Sequence, residues 1–458
     1  MLAATLPRRA AWGLAAALAA VVWATHLPAS GSPGMRTPGA QIWSQLYQRP
    51  GTDLATAVAA SPDGLTVVVT GVSDDDIATL AYDSSNGLQL WEQRFDGGRD
   101  DAGIAIATSP DSTEVYVAGV TDGGESHDDF VIIAYDMADG QEPWSSVYRG
   151  PRPGFRYRDI PAALEVDPQG DAVYLAGRSE TRRGYDYATV SFATAGGGRQ
   201  WVHRYDGRTG GDDIPVGMAV SSAGTYLFIT GKTWGGDDRR FDVYTEKLLA
   251  VDGIDLDAAQ MRSTTPRNDI PVAIEAAQDD DVVVAARMRL GSEFEDSTVR
   301  RYDIDLDQEW TESFDGVIPR SLATAGADAA VGATFLDGGR EIGAVLVNGT
   351  PVGIWAESYS NSTGAENEAA DVHIVGTTVI VSGKLRDPVD DDVELAAVGF
   401  DRGYGAFLWV MTYDGLIGGD DAGFASAVAP AVNRLFVVGT AEGIGTGRDY
   451  AVIGVDLT

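Results

Sequence analysis

The sequence predicts an all-β fold: an eight-bladed β-propeller with four-stranded antiparallel blades, its N-terminal strand closing the last blade. Three observations carry this. Tryptophans that open an outer strand recur at near-constant spacing along the chain. In five repeats an aspartate opening one strand is followed 18 residues later by a glycine closing the next. The last repeat supplies three strands, and a strand without partners stands near the start of the chain. Repetition of one supersecondary unit makes a chain of 458 residues a single body rather than two or three domains.

Residues 1–29 read as an export signal. Arg8 and Arg9 precede the apolar run 10–23, and small residues follow near Ala24 and Ala29. Residues 30–40, rich in Pro and Gly, read as a linker, which leaves 41–458 for the propeller. The expected location is therefore outside the cytoplasm: extracellular, at the cell surface or periplasmic. An uncleaved signal is the single membrane attachment expected.

The outer-strand tryptophans are Trp43, Trp91, Trp144, Trp201, Trp310, Trp355 and Trp409. One gap, of 109 residues, is double the others, and Met261 stands where the missing tryptophan is expected. That makes eight positions; seven blades is the alternative if the irregular stretch 241–261 is not a blade. Each repeat reads as four strands, A to D, with period-2 patterning and turn residues between them. Strand A opens on an acid, as in DLATAVAA from Asp53. A turn such as Ser61-Pro-Asp-Gly64 leads to strand B, which ends on Gly71, Gly119, Gly177, Gly231, Gly383 or Gly439. Repeat five keeps the interval and ends on Arg287. After Trp409 the chain supplies three strands and stops, while IWSQLYQ from Ile42 has no earlier partner. Pairing the two ends would complete the eighth blade and remove an exposed edge.

Composition removes several functions. There is no cysteine, so no disulfide, thiolate metal site or cysteine nucleophile. A formal charge of −35 opposes nucleic-acid binding, which needs basic surface to neutralise phosphate.

Ala81-Tyr82-Asp83…Gly87…Trp91 and Ala134-Tyr135-Asp136…Gly140…Trp144 resemble the tryptophan-docking motif of pyrroloquinoline-quinone-type, or quinoprotein-like, propellers. Phe400-Asp401…Gly405…Trp409 is close to it. The resemblance covers the chain from about Ile42 onward and implies the fold, with a packing role for the tryptophan. The dehydrogenases of that family hold their cofactor beside adjacent cysteines and over calcium. This chain has neither those cysteines nor a matching ligand set, so pyrroloquinoline quinone is not expected. The resemblance implies a bacterial, exported, non-dehydrogenase member.

Two acids recur. Asp53, Asp101, Asp159, Asp213, Asp269 and Asp421 open strand A, with Glu368 a looser match. Asp76, Asp129, Asp186, Asp242, Asp296, Glu341, Glu394 and Asp449 open strand C. An aspartate at a strand start commonly accepts backbone N–H bonds of an adjacent turn. The functional alternative for the strand A set is a carboxylate ring holding Ca2+.

One sector departs from the acidic background. The D–A loop YRGPRPGFRYRD holds Arg152, Arg156, Tyr157 and Arg158; the next B–C loop adds Arg182, Arg183 and Tyr185. Trp234, Arg239 and Arg240 follow on the same face. Guanidinium forks beside aromatic rings suit carboxylate- or phosphate-bearing ligands and sugars. The reading is a binding or scaffold module for an extracellular glycan, an anionic ligand or a protein partner. The competing reading is a calcium-dependent lactonase or polysaccharide lyase using the channel-mouth acids and His127, which sits beside Asp128 and Asp129. His203 reads as packing or surface. His373 is placed to reach the channel, with no nucleophile visibly paired to it.

Overall fold

A computed structural model describes residues 37–458 except 50, 123–127, 152–156, 208–209, 237–239, 264–267, 289–295, 337–338, 349–354, 362–365, 390, 416–418, 420 and 444–446. Its strands form eight four-stranded sheets, all paired antiparallel. Blades 1 to 7 run consecutively from A to D: Asp53–Phe95, Ala102–Tyr148, Asp159–Tyr205, Ile214–Met261, Ile270–Asp315, Val317–Tyr359 and Glu368–Tyr413. Blade 8 takes three strands from Ala422–Asp456 and its outermost from Gln41–Tyr47. Tyr47 pairs with Tyr450 and Trp43 with Gly454, so the chain ends are knitted together as the sequence requires. Among the described residues no helix is long and apolar enough to cross a membrane.

The glycine of strand B has a local cause. Every strand A carries a bulge at the same place, between Ala55 and Ala57 in blade 1 and between Pro161 and Ala163 in blade 3. The bulge swings a strand A carbonyl towards strand B. A Cβ on Gly71 would stand 2.0 Å from the Leu54 carbonyl oxygen, and one on Gly439 1.8 Å from that of Ala422. Blade 5 fits alanine instead. Its register pairs Pro271 with Ala286, so Ala286 and not Arg287 is the equivalent residue, and the interval is one shorter than the sequence reading gave.

The tryptophans join one blade to the next. Trp43, Trp91, Trp144, Trp201 and Trp355 each donate the indole N–H to a carbonyl in the following blade's C–D turn, at 2.7–3.0 Å. Each ring lies on a glycine of that turn, as Trp91 lies on Gly140 and Trp355 on Gly405. The glycine stands four residues before the next tryptophan. That rule corrects the reading of Met261. In blade 4 the turn glycine is Gly253, and Lys247 pairs with Asp257 as Ser191 pairs with Trp201. Asp257 therefore holds the tryptophan position. Met261 pairs with Val243 as Tyr205 pairs with Tyr187, at the inner end of strand D.

Buried Val, Ile, Leu, Ala and aromatic side chains from facing sheets pack between blades. Inner strands surround an axial channel. Strand A runs from the face carrying the D–A and B–C loops to the face carrying the A–B turns.

Candidate functional site

The strand A aspartates are buried, at 0–2 % exposure, and work as staples. Each accepts a backbone N–H from the D–A loop before it: Arg49 to Asp53, Gly97 to Asp101, Gly150 to Asp159, Gly207 to Asp213, Ser263 to Asp269 and Gly415 to Asp421. Five of the six donate their own N–H to the preceding blade's B–C loop, as Asp213 does to Tyr185 O and Asp421 to Val393 O. The two loop families therefore share one face. A hydroxyl at the end of strand B completes the cradle in four blades, from Ser73, Thr121, Ser179 and Thr233. Burial raises all six carboxyls, and Asp421, whose hydroxyl position is Ala441, reaches about 6. In blade 7 the position belongs to Asn367, not Glu368, and its Oδ1 accepts the Arg386 N–H at 2.9 Å. Glu368 instead gathers Arg340, Lys384 and Arg320.

Two of these aspartates join three-acid clusters whose ligand atoms lie within 4.8 Å: Asp101 with Asp76 and Asp96, and Asp213 with Asp186 and Asp206. Arginines of strand D already engage them. Arg94 binds Asp76 at 2.7 Å and Arg204 binds Asp186 at 3.2 Å. The same pairing recurs between Arg149 and Asp129 and between Arg262 and Asp242.

The basic-aromatic sector is partly assembled. Tyr157, Arg182 and Arg183 come together around a cavity of about 330 Å3, with Thr181, Asp186 and Asp206 on its wall. Arg182 and Arg183 are exposed and have no ion-pair partner among the described residues. Asp186 is pushed up to about 6 by burial, which Arg204 only partly offsets. Arg183 borders Gly210, and the Trp234 ring lies on Gly211, so the aromatic of blade 4 adjoins the same loop. Trp234 also meets Phe241 edge-on at 5.1 Å. Other members are engaged elsewhere. Arg158 pairs with Asp128 at 2.5 Å, and Tyr185 carries the Arg178 guanidinium at 4.9 Å. Arg240 turns a tight loop at φ +62°, its N–H bonded to Gly236 O. Arg152, Arg156, Arg239 and His127 lie outside the described residues.

The channel holds a group that sequence reasoning missed. Counting four residues on from the last residue before each bulge gives one layer of the inner strands: Ala59, Ala107, Glu165, Ala219, Glu275, Ala323, His373 and Ala427. Five alanines and three ionisable residues share one level. His373 Nε2 lies 2.9 Å from Ser426 Oγ and 3.5 Å from Asp371 Oδ2. Ser426 Oγ also meets Ser382 Oγ at 2.8 Å. A serine thus does stand beside His373, contrary to the sequence reading. Yet serine and aspartate share one imidazole nitrogen, whereas a hydrolytic triad puts them on opposite nitrogens. Contact with Asp371 raises His373 against its burial and lowers Asp371 against its own. His203 is a packing residue, its Nε2 3.2 Å from the buried Glu246. The repeated DIPxxxE of Asp159–Glu165 and Asp269–Glu275 was the signal available for the channel acids.

Comparison with known proteins gives a fold and a repeat type. Residues 35–232 match the PQQ-type repeat model described as "Outer membrane protein assembly factor BamB". No curated protein matches the sequence. Among solved structures, quinohemoprotein alcohol dehydrogenase ADHIIG from Pseudomonas putida HK5 is similar at TM-score 0.57 and 11% identity, over 91% of this chain and 76% of that one. The Dos1 propeller is similar at TM-score 0.54 and 9% identity, over 92% and 95%. Chaetomium thermophilum Sqt1 is similar at 0.52 and 11%, over 89% and 96%. At such identities these likenesses show the fold alone. The docking motif, the eight sheets and the repeat match together make this chain an eight-bladed β-propeller whose residues 35–232 match the PQQ-type repeat.

Proposed function

We propose that this protein is an exported binding module whose ligand is an acidic glycan, held on the face of blades 3 and 4. The observation that carries this is the meeting of Tyr157, Arg182 and Arg183 around one cavity, with neither guanidinium ion-paired among the described residues, on a chain of charge −35. Arginine forks match the planar carboxylate of a uronic acid. The Tyr157 ring offers a flat apolar surface for a sugar face. Thr181, Asp186 and Asp206 supply acceptors for hydroxyls. The signal pattern of residues 1–29 supports export. The assembly-factor description of the matching family supports a role in holding a partner rather than in turnover.

Calorimetry of the exported protein with polygalacturonate and with an uncharged galactan tests the proposal. Binding of the acidic polymer alone, weakening as salt rises, is the expected result. Equal affinity for both polymers, or binding to neither, would exclude it.

A further inference from the structure

A cavity of about 540 Å3 opens in the axial channel between the inner strands of blades 5 to 8, towards the A–B turns and away from the loop face. Leu322, Val372, Val375 and Val428 form apolar wall. Glu275 and the His373–Asp371 pair face the same space. Glu275 has no hydrogen-bond or ion-pair partner among the described residues. It is accessible from the channel yet surrounded by protein mass. Desolvation, with Glu165 and Asp371 adding to it and His373 opposing, lifts its carboxyl to about 8. Glu165 rises to about 7 by burial. The alanines of the same layer leave the level open.

We infer that this cavity binds a small organic ammonium ion, a primary amine or short diamine, with its head on Glu275 and its alkyl part on the apolar wall. The chemistry narrows the class in three steps. An anion would meet Glu275 and Asp371, and His373 is the one basic side chain among the described residues of the wall. A bare metal ion needs three ligand atoms close together. Among the described residues those sets are Asp76, Asp96, Asp101 and Asp186, Asp206, Asp213, none of them in this cavity. An alkylammonium brings charge and apolar surface in the proportion the wall presents, and the volume suits a small molecule.

Binding requires Glu275 to ionise while the amine keeps its proton. Affinity therefore rises with pH, about tenfold per unit below the carboxyl's value and flat above it. Calorimetric titration of the full protein with 1,4-diaminobutane at pH 6.5 and pH 8.5 reads this directly, with calcium chloride as the comparison. The expected result is saturable binding, tighter at pH 8.5. Glu275→Gln should weaken it about tenfold or more and flatten its pH dependence. Glutamine has no proton to lose in the unfolded chain, so a melting temperature at or above the parent's at pH 6.5 verifies the fold. The Arg182→Ala, Arg183→Ala double variant should bind the diamine as the parent does, which separates this site from the glycan face. Absence of saturable diamine binding at pH 8.5, full binding by Glu275→Gln, or displacement of the diamine by an equal concentration of calcium would each overturn the assignment.

Discussion

Gly39 lies under the indole of Trp409, so close that a Cβ there would stand 2.6 Å from the ring's Cε3. Gly87 lies under Trp43 at the same 2.6 Å. The two contacts match, though the chain is continuous through one turn and broken at the other. Gly39 belongs to the first described residues, and its N–H bonds to Asp456 O near the last, just as Gly87 N–H bonds to Asp83 O. The ring is thus closed by a turn assembled from both ends of the chain, and the Trp409 ring lies on its glycine as the Trp43 ring lies on Gly87.

Gly39→Ala should therefore cost as much as an internal turn substitution. The residue has φ +83° as well as the steric conflict, so a loss of about 2 kcal/mol or more is expected. Urea unfolding of Gly39→Ala and Gly87→Ala side by side checks it. A near-neutral Gly39→Ala would show that the closure adds little.

The staple at Asp421 lacks the hydroxyl that four other blades provide. Ala441→Ser should supply one and raise stability by about 1 kcal/mol at pH 7. The sign follows from linkage. The folded carboxyl titrates near 6 and the unfolded one near 3.8, so the folded state holds the extra proton and stability falls as pH rises between them. Ala441→Ser should reduce that fall, seen as a smaller drop in Tm from pH 4 to pH 7. An identical pH profile in the two proteins would refute it.

The seam between blades 4 and 5 is built differently. Asp257 stands for tryptophan, and Leu306 at φ +59° turns the following corner without a glycine. A bridge from Lys247 Nζ to Asp305 Oδ1 at 3.2 Å spans the blades instead. An ion pair with one exposed end holds less than a docked indole, whose removal costs about 3–5 kcal/mol. Amides of Asp255–Met261 should exchange with deuterium earlier than those of Gln89–Phe95. The reverse order would contradict this.

Glu165 and Glu275 make a further pH statement. Their folded values near 7 and 8 exceed the ordinary 4.5, so their ionisation is resisted by the folded channel. Stability should fall as pH rises through 4.5 to 8. Glu275→Gln, which has no proton to lose, should melt higher than the parent at pH 9 and alike at pH 5. Equal melting at both would show that the channel does not resist the charge.

How far the sequence reached follows from what repeats. The docking motif recurs at each blade seam that uses it, so blade number and closure were readable from tryptophans and turn glycines. Met261 was misplaced because a place within a long gap does not fix register, while the glycine-to-tryptophan spacing of four pointed from Gly253 to Asp257. The strand A acids were legible as staples because an aspartate beside a turn has a local use. Glu165 and Glu275 were not, and His373, which the sequence put near the channel, could not be grouped with them, since their meeting depends on a bulge that sets depth in the channel. On the loop face Tyr157, Arg182 and Arg183, which the sequence reading grouped, line one cavity. The sequence could not tell that Arg158 is spent on Asp128, because that pair bridges two loops.

The functional account rests on Arg182 and Arg183 as ligand forks. Its most direct measurement is the affinity of the Arg182→Ala, Arg183→Ala double variant for an oligogalacturonate, beside that of the parent. Two charge-assisted contacts contribute roughly 3–6 kcal/mol, so a loss of at least a hundredfold in affinity with unchanged melting is expected. Affinity equal to the parent's, in a variant that folds normally, would contradict it.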